Sequence, residues 1–157
     1  MKNVLSIIII LFATITQAQE KVLIKKSEIT IPIGKKIILR PEIKNDRIAS
    51  FILTFEETVN EKKDVFDILQ NFKKDELENN DIEFTFSESE MMKNPIFTLI
   101  TIQKTGKKMS FKAKIRLKGT TIYQSTSIIP SHSNVASMEQ WRDNIDSIFL
   151  YDFELTN

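Results

Sequence analysis

The chain has 157 residues, and its 22 basic and 21 acidic side chains leave a formal net charge of +1 at pH 7. It has no cysteine and one histidine, which excludes a disulfide framework and a zinc site built from the usual cysteine and histidine ligands. Its three glycines form neither a phosphate-binding loop nor a dinucleotide fingerprint. The composition therefore predicts a protein without a bound cofactor or metal.

The first 18 residues have the pattern of a cleaved secretory signal peptide. Lys2 provides the basic start, an apolar run follows from Val4 to Ile15, and residues 16–18 place small side chains where a signal peptidase reads them. A membrane span needs roughly 20 apolar residues, so we expect no integral membrane anchor after cleavage. The remaining residues, 19–157, are predicted to form one exported domain, located in the periplasm or outside the cell.

Strands with one buried face are predicted through most of this domain. Apolar residues occupy every second position in three early segments: Ile29 to Ile33, Phe51 to Phe55 and Ile82 to Phe86. The period changes before the last of these. The apolar residues there recur at the spacing of an amphipathic helix: Val65, Ile68, Leu69 and Phe72. We therefore predict one inserted helix at about 61–74.

The clearest alternation runs from Lys108 to Lys118, with Met109, Phe111, Ala113, Ile115 and Leu117 on the apolar side. Ile96 to Gln103 is another β-branched run, and the connection contains Gly106, which can adopt the positive φ of a tight turn. We predict a β-hairpin between the two strands, with either a two-residue loop or a three-residue loop and a bulge. A third strand, residues 121–129, would complete a meander.

The C-terminal part predicts a helical turn followed by a last strand. Residues 137–140 read Ser-Met-Glu-Gln, a capping box, which indicates a short helical turn near 138–142 that presents Trp141. In the strand from Asp146 to Leu155, the side chains expected to point inward are Ile148, Leu150 and Phe153. The whole pattern predicts a mainly β fold, an antiparallel β-sandwich or partly closed β-barrel of about eight strands.

The charges are distributed unevenly along the chain. Residues 104–118 contain six lysines and one arginine but no acid, whereas residues 139–157 contain five acids and one arginine. These blocks either face each other across adjacent strands or provide a docking surface. The candidate partner-binding residues are Lys108, Lys112, Lys114, Arg116 and Lys118.

The expected partner of that surface is an acidic protein or an anionic envelope glycan. Nucleic acid is not expected, because the chain is exported and the lysine-rich strand lacks interleaved aromatic residues. Trp141 is a candidate ligand-binding residue, although a plug at the end of the core is the structural alternative.

No catalytic constellation is visible, since no nucleophile-elbow pattern accompanies the single histidine, His132. The sequence therefore predicts a non-enzymatic binding or interaction module, of which an immunity or inhibitor-type protein is one form. Two alternatives stay open. One is a lipocalin-like carrier of an apolar small molecule, and the other is a hydrolase that uses His132 or a pair of carboxylates.

Overall fold

The computed structural model describes residues 20–60, 62, 64, 65, 67 and 77–157. These residues contain ten strands and no helical element. The strands are β1 (Leu23–Lys25), β2 (Glu28–Pro32), β3 (Lys35–Lys44), β4 (Arg47–Thr58), β5 (Ile82–Met91), β6 (Asn94–Gln103), β7 (Lys108–Leu117), β8 (Tyr123–Thr126), β9 (Ser137–Trp141) and β10 (Ile145–Thr156). The predicted helix at 61–74 lies outside the described residues, apart from positions 62, 64, 65 and 67.

The predicted mainly β, antiparallel architecture is confirmed, and the sheet does not close into a barrel. Its strand order is β1-β2-β10-β4-β3-β5-β6-β9, and β7 lies between β10 and β8. Strand β10 connects the whole sheet. One of its edges pairs with β7, and the other pairs with β2 near Ile148 and with β4 at Glu154. The sheet thus has a first half (β1, β2, β10, β7, β8) and a second half (β4, β3, β5, β6, β9).

The two halves face each other across a core of phenylalanine side chains. The Phe84 ring of the second half lies 5.8 Å from the Phe111 ring and 6.2 Å from the Phe153 ring of the first half, measured between centroids. Phe51 and Phe153 approach to 5.0 Å. Burying one such side chain stabilises the fold by about 1.5–3 kcal/mol, so these contacts hold the halves together.

The alternation in β7 is confirmed, because its predicted apolar side buries Met109, Phe111, Ala113 and Ile115. In β10 the inward positions Ile148, Leu150 and Phe153 are also confirmed. The last two of these are three residues apart, which strict alternation does not allow. A β-bulge between Tyr151 and Glu154 supplies the extra residue, and Asp152 adopts a φ of 60° there.

The predicted hairpin between β6 and β7 is wrong. Strand β6 pairs with β5 and β9, whereas β7 pairs with β10 and β8. Residues 104–107 therefore form an arch that carries the chain from the second half to the first, and Gly106 adopts a φ of +78° in it. An arch buries the same apolar side chains as a hairpin would, so the alternation could not distinguish the two. The β7–β8 hairpin of the predicted meander is confirmed, with Arg116 opposite Tyr123.

The predicted helical turn near 138–142 is also wrong, because Ser137–Trp141 is strand β9, paired with β6. The Ser137 hydroxyl donates to the carbonyl of Thr101 at 3.4 Å, and the side-chain amide of Gln140 donates to the sulfur of Met138 at 3.3 Å. These side chains therefore do not form a capping box. A single helical turn is marginal by itself, and the edge of β6 offers backbone partners to the same residues.

Gln103 ends β6 and is fully buried at the base of the arch. Its side-chain amide donates to the carbonyls of Lys107 at 2.7 Å and Ser131 at 3.2 Å. Its side-chain oxygen accepts from the backbone N–H of Thr105 at 2.8 Å and from the Thr105 hydroxyl at 2.6 Å. One polar side chain thus satisfies backbone groups of the arch and attaches it to Ser131, which forms a bridge with Met109 of β7.

We predict that replacing Gln103 with leucine lowers the free energy of unfolding by roughly 2–4 kcal/mol, since leaving one buried donor or acceptor unpaired costs about 1–3 kcal/mol. Urea denaturation monitored by circular dichroism measures this change. Gln124→Leu is the matched control, because Gln124 is exposed on β8. An equal loss in both variants would show that the buried hydrogen bonds of Gln103 do not stabilise the arch.

Candidate functional site

The predicted partner-binding residues lie on the side of β7 that points away from the core. Lys112, Lys114 and Arg116 alternate with its buried side chains, while Lys108 begins the strand and Lys118 follows its end. Strand β7 lies between β8 and β10, so side chains from both neighbours share this outer surface.

The neighbouring strands place aromatic rings beside these cations. In the strand register, Tyr123 of β8 lies opposite Arg116, and Phe149 and Tyr151 of β10 lie opposite Lys114 and Lys112. The Phe149 and Tyr151 rings are stacked, with 5.2 Å between centroids and 16° between planes. The ring of Tyr123 meets Phe149 edge-on at 6.2 Å.

We call this surface the cation–aromatic face, and it consists of Lys112, Lys114, Arg116, Tyr123, Phe149 and Tyr151. The cations contact the rings directly. Lys114 Nζ lies 5.4 Å from the centroid of Tyr151, and Arg116 Cζ lies 5.6 Å from the centroid of Tyr123. Such contacts contribute about 0.5–1 kcal/mol at exposed sites and restrict where the charged groups can move.

Two of the cations also form ion pairs with acids of the C-terminal block. Lys112 Nζ lies 2.6 Å from Asp152 Oδ2, and Arg116 Nε donates to Asp146 Oδ1 at 2.8 Å. These hydrogen bonds, with the adjacent negative charge, raise the pKa of Lys112 and of Arg116. For these pairs the basic and acidic blocks do face each other across adjacent strands, as one of the two interpretations predicted.

The other three predicted cations keep their charge available. Within the part of the chain that the structure describes, Lys108, Lys114 and Lys118 form no ion pair. Lys114 is the one among them that lies within the cation–aromatic face, against the Tyr151 ring. The face therefore combines partly neutralised cations that are held in place with one cation, Lys114, that no carboxylate of the described residues neutralises.

A buried serine fixes the Tyr123 end of the face. Ser147 is fully buried, and its hydroxyl lies 2.9 Å from the Tyr123 hydroxyl and 3.1 Å from Asp146 Oδ1. Asp146 in turn accepts from Arg116, so the tyrosine, the serine, the aspartate and the arginine form one hydrogen-bonded chain. The chain gives Arg116 a defined position, because its Nε and the face of its guanidinium are both engaged.

Trp141 is not part of this face. Its indole N–H donates to Thr126 Oγ1 at 2.9 Å, and its ring meets the core ring of Phe86 edge-on at 6.4 Å. Thr126 lies opposite the buried Ala113, so the indole sits on the core side of β8. This arrangement matches the structural alternative, a plug at the end of the core.

The sequence reasoning missed the three aromatic residues because it searched for them on the lysine-rich strand alone. The alternation in β10 contained the missing information. If Ile148 and Leu150 point inward, Phe149 and Tyr151 must point outward. The partner strand of β7 was not known from the pattern, so this signal could not be combined with the lysines.

The described residues give no sign of a metal or hydrolytic centre. His132 is exposed, and its backbone carbonyl accepts from the N–H of Val135 at 3.2 Å. No group of three or more histidine, cysteine or carboxylate ligands occurs among the positions the structure covers. No helix in the same positions is long and apolar enough to cross a membrane.

Comparison of the chain with protein-family models, with curated proteins and with solved structures gives no match. The assignment of a function therefore depends on the geometry of the chain itself.

The Lys112–Asp152 ion pair leads to a prediction about the titration of the Asp152 carboxyl group. The hydrogen bond from Lys112, with its positive charge, holds the pKa of Asp152 below its usual range. We expect Lys112→Met to raise that pKa, as measured by the pH dependence of the Asp152 carboxyl chemical shift. A lowered folded-state pKa stabilises the fold above the unfolded-state pKa of aspartate, and this contribution is lost as the pH falls through the folded-state value.

The free energy of unfolding of Lys112→Met should accordingly fall less than that of the parent chain as the pH is lowered through the folded-state pKa of Asp152. Lys118→Met is the control, since Lys118 forms no ion pair among the described residues, and it should leave the pKa of Asp152 unchanged. An unchanged Asp152 titration in Lys112→Met would contradict the pairing.

Proposed function

We propose that this chain is an exported, non-enzymatic binding module that binds an anionic glycan on its cation–aromatic face. One observation carries the proposal: the rings of Tyr123, Phe149 and Tyr151 lie beside Lys114 and Arg116 on one open sheet surface. The signal pattern in residues 1–18 supports export.

The chemistry of the face favours a glycan over an acidic protein. A sugar ring has an apolar face of C–H groups, which packs on a flat aromatic surface, and its acidic substituents extend from the ring edge toward nearby cations. The Phe149 and Tyr151 rings, with centroids 5.2 Å apart, place aromatic surface directly beside Lys114. An acidic protein would need the cations but would make little use of the stacked rings.

The scaffold that we propose for this face is a sandwich-like body with the predicted helix at 61–74 between β4 and β5. Contacts between the halves such as Phe84 to Phe111 support the sandwich-like arrangement. Leu77, which follows the predicted helix, is buried and clusters with Ile100 and Ile102 of β6.

The carrier hypothesis finds no comparable support. A carrier of an apolar molecule would need a cavity inside the sheet, where Phe84, Phe86 and Leu99 are completely buried. A hollow of about 210 Å³ lies beside Gly34 and Lys62, but it opens to solvent.

The proposal is tested by measuring the affinity of the purified mature chain for heparin, a glycan that carries both carboxylates and sulfates. We predict that Lys114→Glu and Tyr151→Ala each weaken binding by about tenfold, which corresponds to about 1.4 kcal/mol. The first variant reverses the charge of Lys114, which pairs with no carboxylate among the positions that the structure describes, and the second removes the ring that Lys114 contacts. Added salt should weaken binding, because ions screen the attraction between the cations of the face and the acidic groups of the glycan.

Two controls make the same chemical changes on the second half of the sheet. Lys93→Glu reverses an exposed lysine in the β5–β6 turn, and Phe55→Ala removes an exposed ring of β4. Both should bind heparin as the parent chain does. If Lys93→Glu weakens binding as much as Lys114→Glu, or if the parent chain does not bind, the proposed site is wrong. If poly-glutamate binds and Tyr151→Ala has no effect, the partner is an acidic protein instead.

A further inference from the structure

A carboxylate of the chain itself occupies the Arg116 end of the cation–aromatic face. Arg116 Nη2 donates to both carboxylate oxygens of Glu20, at 2.9 Å to Oε1 and 2.7 Å to Oε2. Glu20 is the first residue of the described chain and precedes β1, so it belongs to no strand. Its side chain is 57% exposed, whereas that of Arg116 is 20% exposed.

Arg116 is held so that one edge of its guanidinium is presented to this carboxylate. Its Nε is engaged by Asp146, and its plane lies over the Tyr123 ring. Asp146 and Tyr123 are themselves linked through the buried Ser147. The arginine is therefore fixed by the fold, and Glu20 is the partner that can leave without disturbing a strand.

We propose that Glu20 is an internal substitute for the carboxylate of the ligand, and that the ligand is a glycan containing uronic acid, with Arg116 as its carboxylate-binding residue. This inference rests on the proposed function and names the ligand class for the same face. A sugar carboxylate that replaced Glu20 on Arg116 Nη2 would place its ring beside Tyr123, with Phe149 and Tyr151 continuing the aromatic surface.

The energetic consequence is a competition between Glu20 and the ligand. An exposed ion pair is weak, so an incoming carboxylate can displace it, but the apparent affinity is reduced by the fraction of time that Arg116 is occupied. Removing the internal carboxylate should therefore tighten binding by about two- to fivefold. After cleavage behind Ala18, Glu20 would be the second residue of the mature chain, where its displacement disturbs no other element.

The test measures, by isothermal titration calorimetry, the affinity of the full mature chain for oligogalacturonate, whose acidic groups are all carboxylates. Glu20→Gln should bind it about two- to fivefold more tightly than the parent chain. Glu154→Gln is the matched control, because it removes the same charge and releases Arg47 instead of Arg116. That control should leave the affinity unchanged.

The role of Arg116 is tested with Arg116→Lys, which keeps the charge but loses the geometry that holds a carboxylate. It should weaken oligogalacturonate binding, and adding Glu20→Gln to it should produce no further tightening. Dextran sulfate is the second probe, because its acidic groups are all sulfates. We expect the parent chain to bind it more weakly than oligogalacturonate at matched charge density.

Each contrary result has a distinct meaning. Suppose that Lys114→Glu weakens glycan binding. If Glu20→Gln then leaves the affinity unchanged, or if Glu154→Gln tightens binding as much as Glu20→Gln does, the role of Glu20 as an internal substitute is wrong and the proposed function stands. If dextran sulfate binds as tightly as oligogalacturonate, the assignment of a carboxylated ligand is wrong. If no variant binds any of these glycans, the proposed function and this inference both fail.

Discussion

The contacts of Phe153 are the constraint on which the rest of the structure depends. Its ring lies 5.0 Å from Phe51, 6.2 Å from Phe84 and 5.1 Å from Phe111, so one side chain of β10 touches the phenylalanines of β4, β5 and β7. Strand β10 also pairs along its edges with both β2 and β7. The packing of the two halves and the connection of the sheet are therefore concentrated in one strand.

The same strand determines what the molecule presents to solvent. The bulge at Asp152 lets Leu150 and Phe153 both point inward, and it leaves Tyr151 and Asp152 on the outside next to β7. Asp152 then pairs with Lys112, and the ring of Tyr151 lies beneath Lys114. An irregularity that completes the core thus also arranges the cation–aromatic face.

The ion pairs on this face have two consequences that act in opposite directions. Asp146 and Asp152 keep Arg116 and Lys112 in defined positions, which reduces the entropy that a ligand would have to overcome. They also neutralise charge that would otherwise attract an anion. Lys114 contacts an aromatic ring and no carboxylate among the described residues, so the ring restricts its position while its charge is not neutralised there.

Where the sequence reasoning succeeded, it relied on the period within one segment. The inward set of β7 and the inward positions Ile148 and Leu150 of β10 follow from alternation, because successive side chains of a strand point to opposite faces whatever the partner strand is. It was wrong at the β6–β7 connection and at residues 138–142. There the structure depends on which neighbouring strand supplies the backbone hydrogen-bond partners. Gln103, a polar residue at the end of an apolar run, was the available sign that the chain turns away there.

The sequence by itself determined that this chain forms antiparallel strands and which side chains of β7, and of β10 as far as Leu150, are buried, since burial there follows a local period. Only the tertiary structure decided that the second neighbour of β7 is β10 and not β6, because both edges of any strand carry the same backbone donors and acceptors. The proximity of Tyr123, Phe149 and Tyr151 to the lysines follows from that choice of neighbours, as does the contact between Glu20 and Arg116, residues 96 positions apart in the chain.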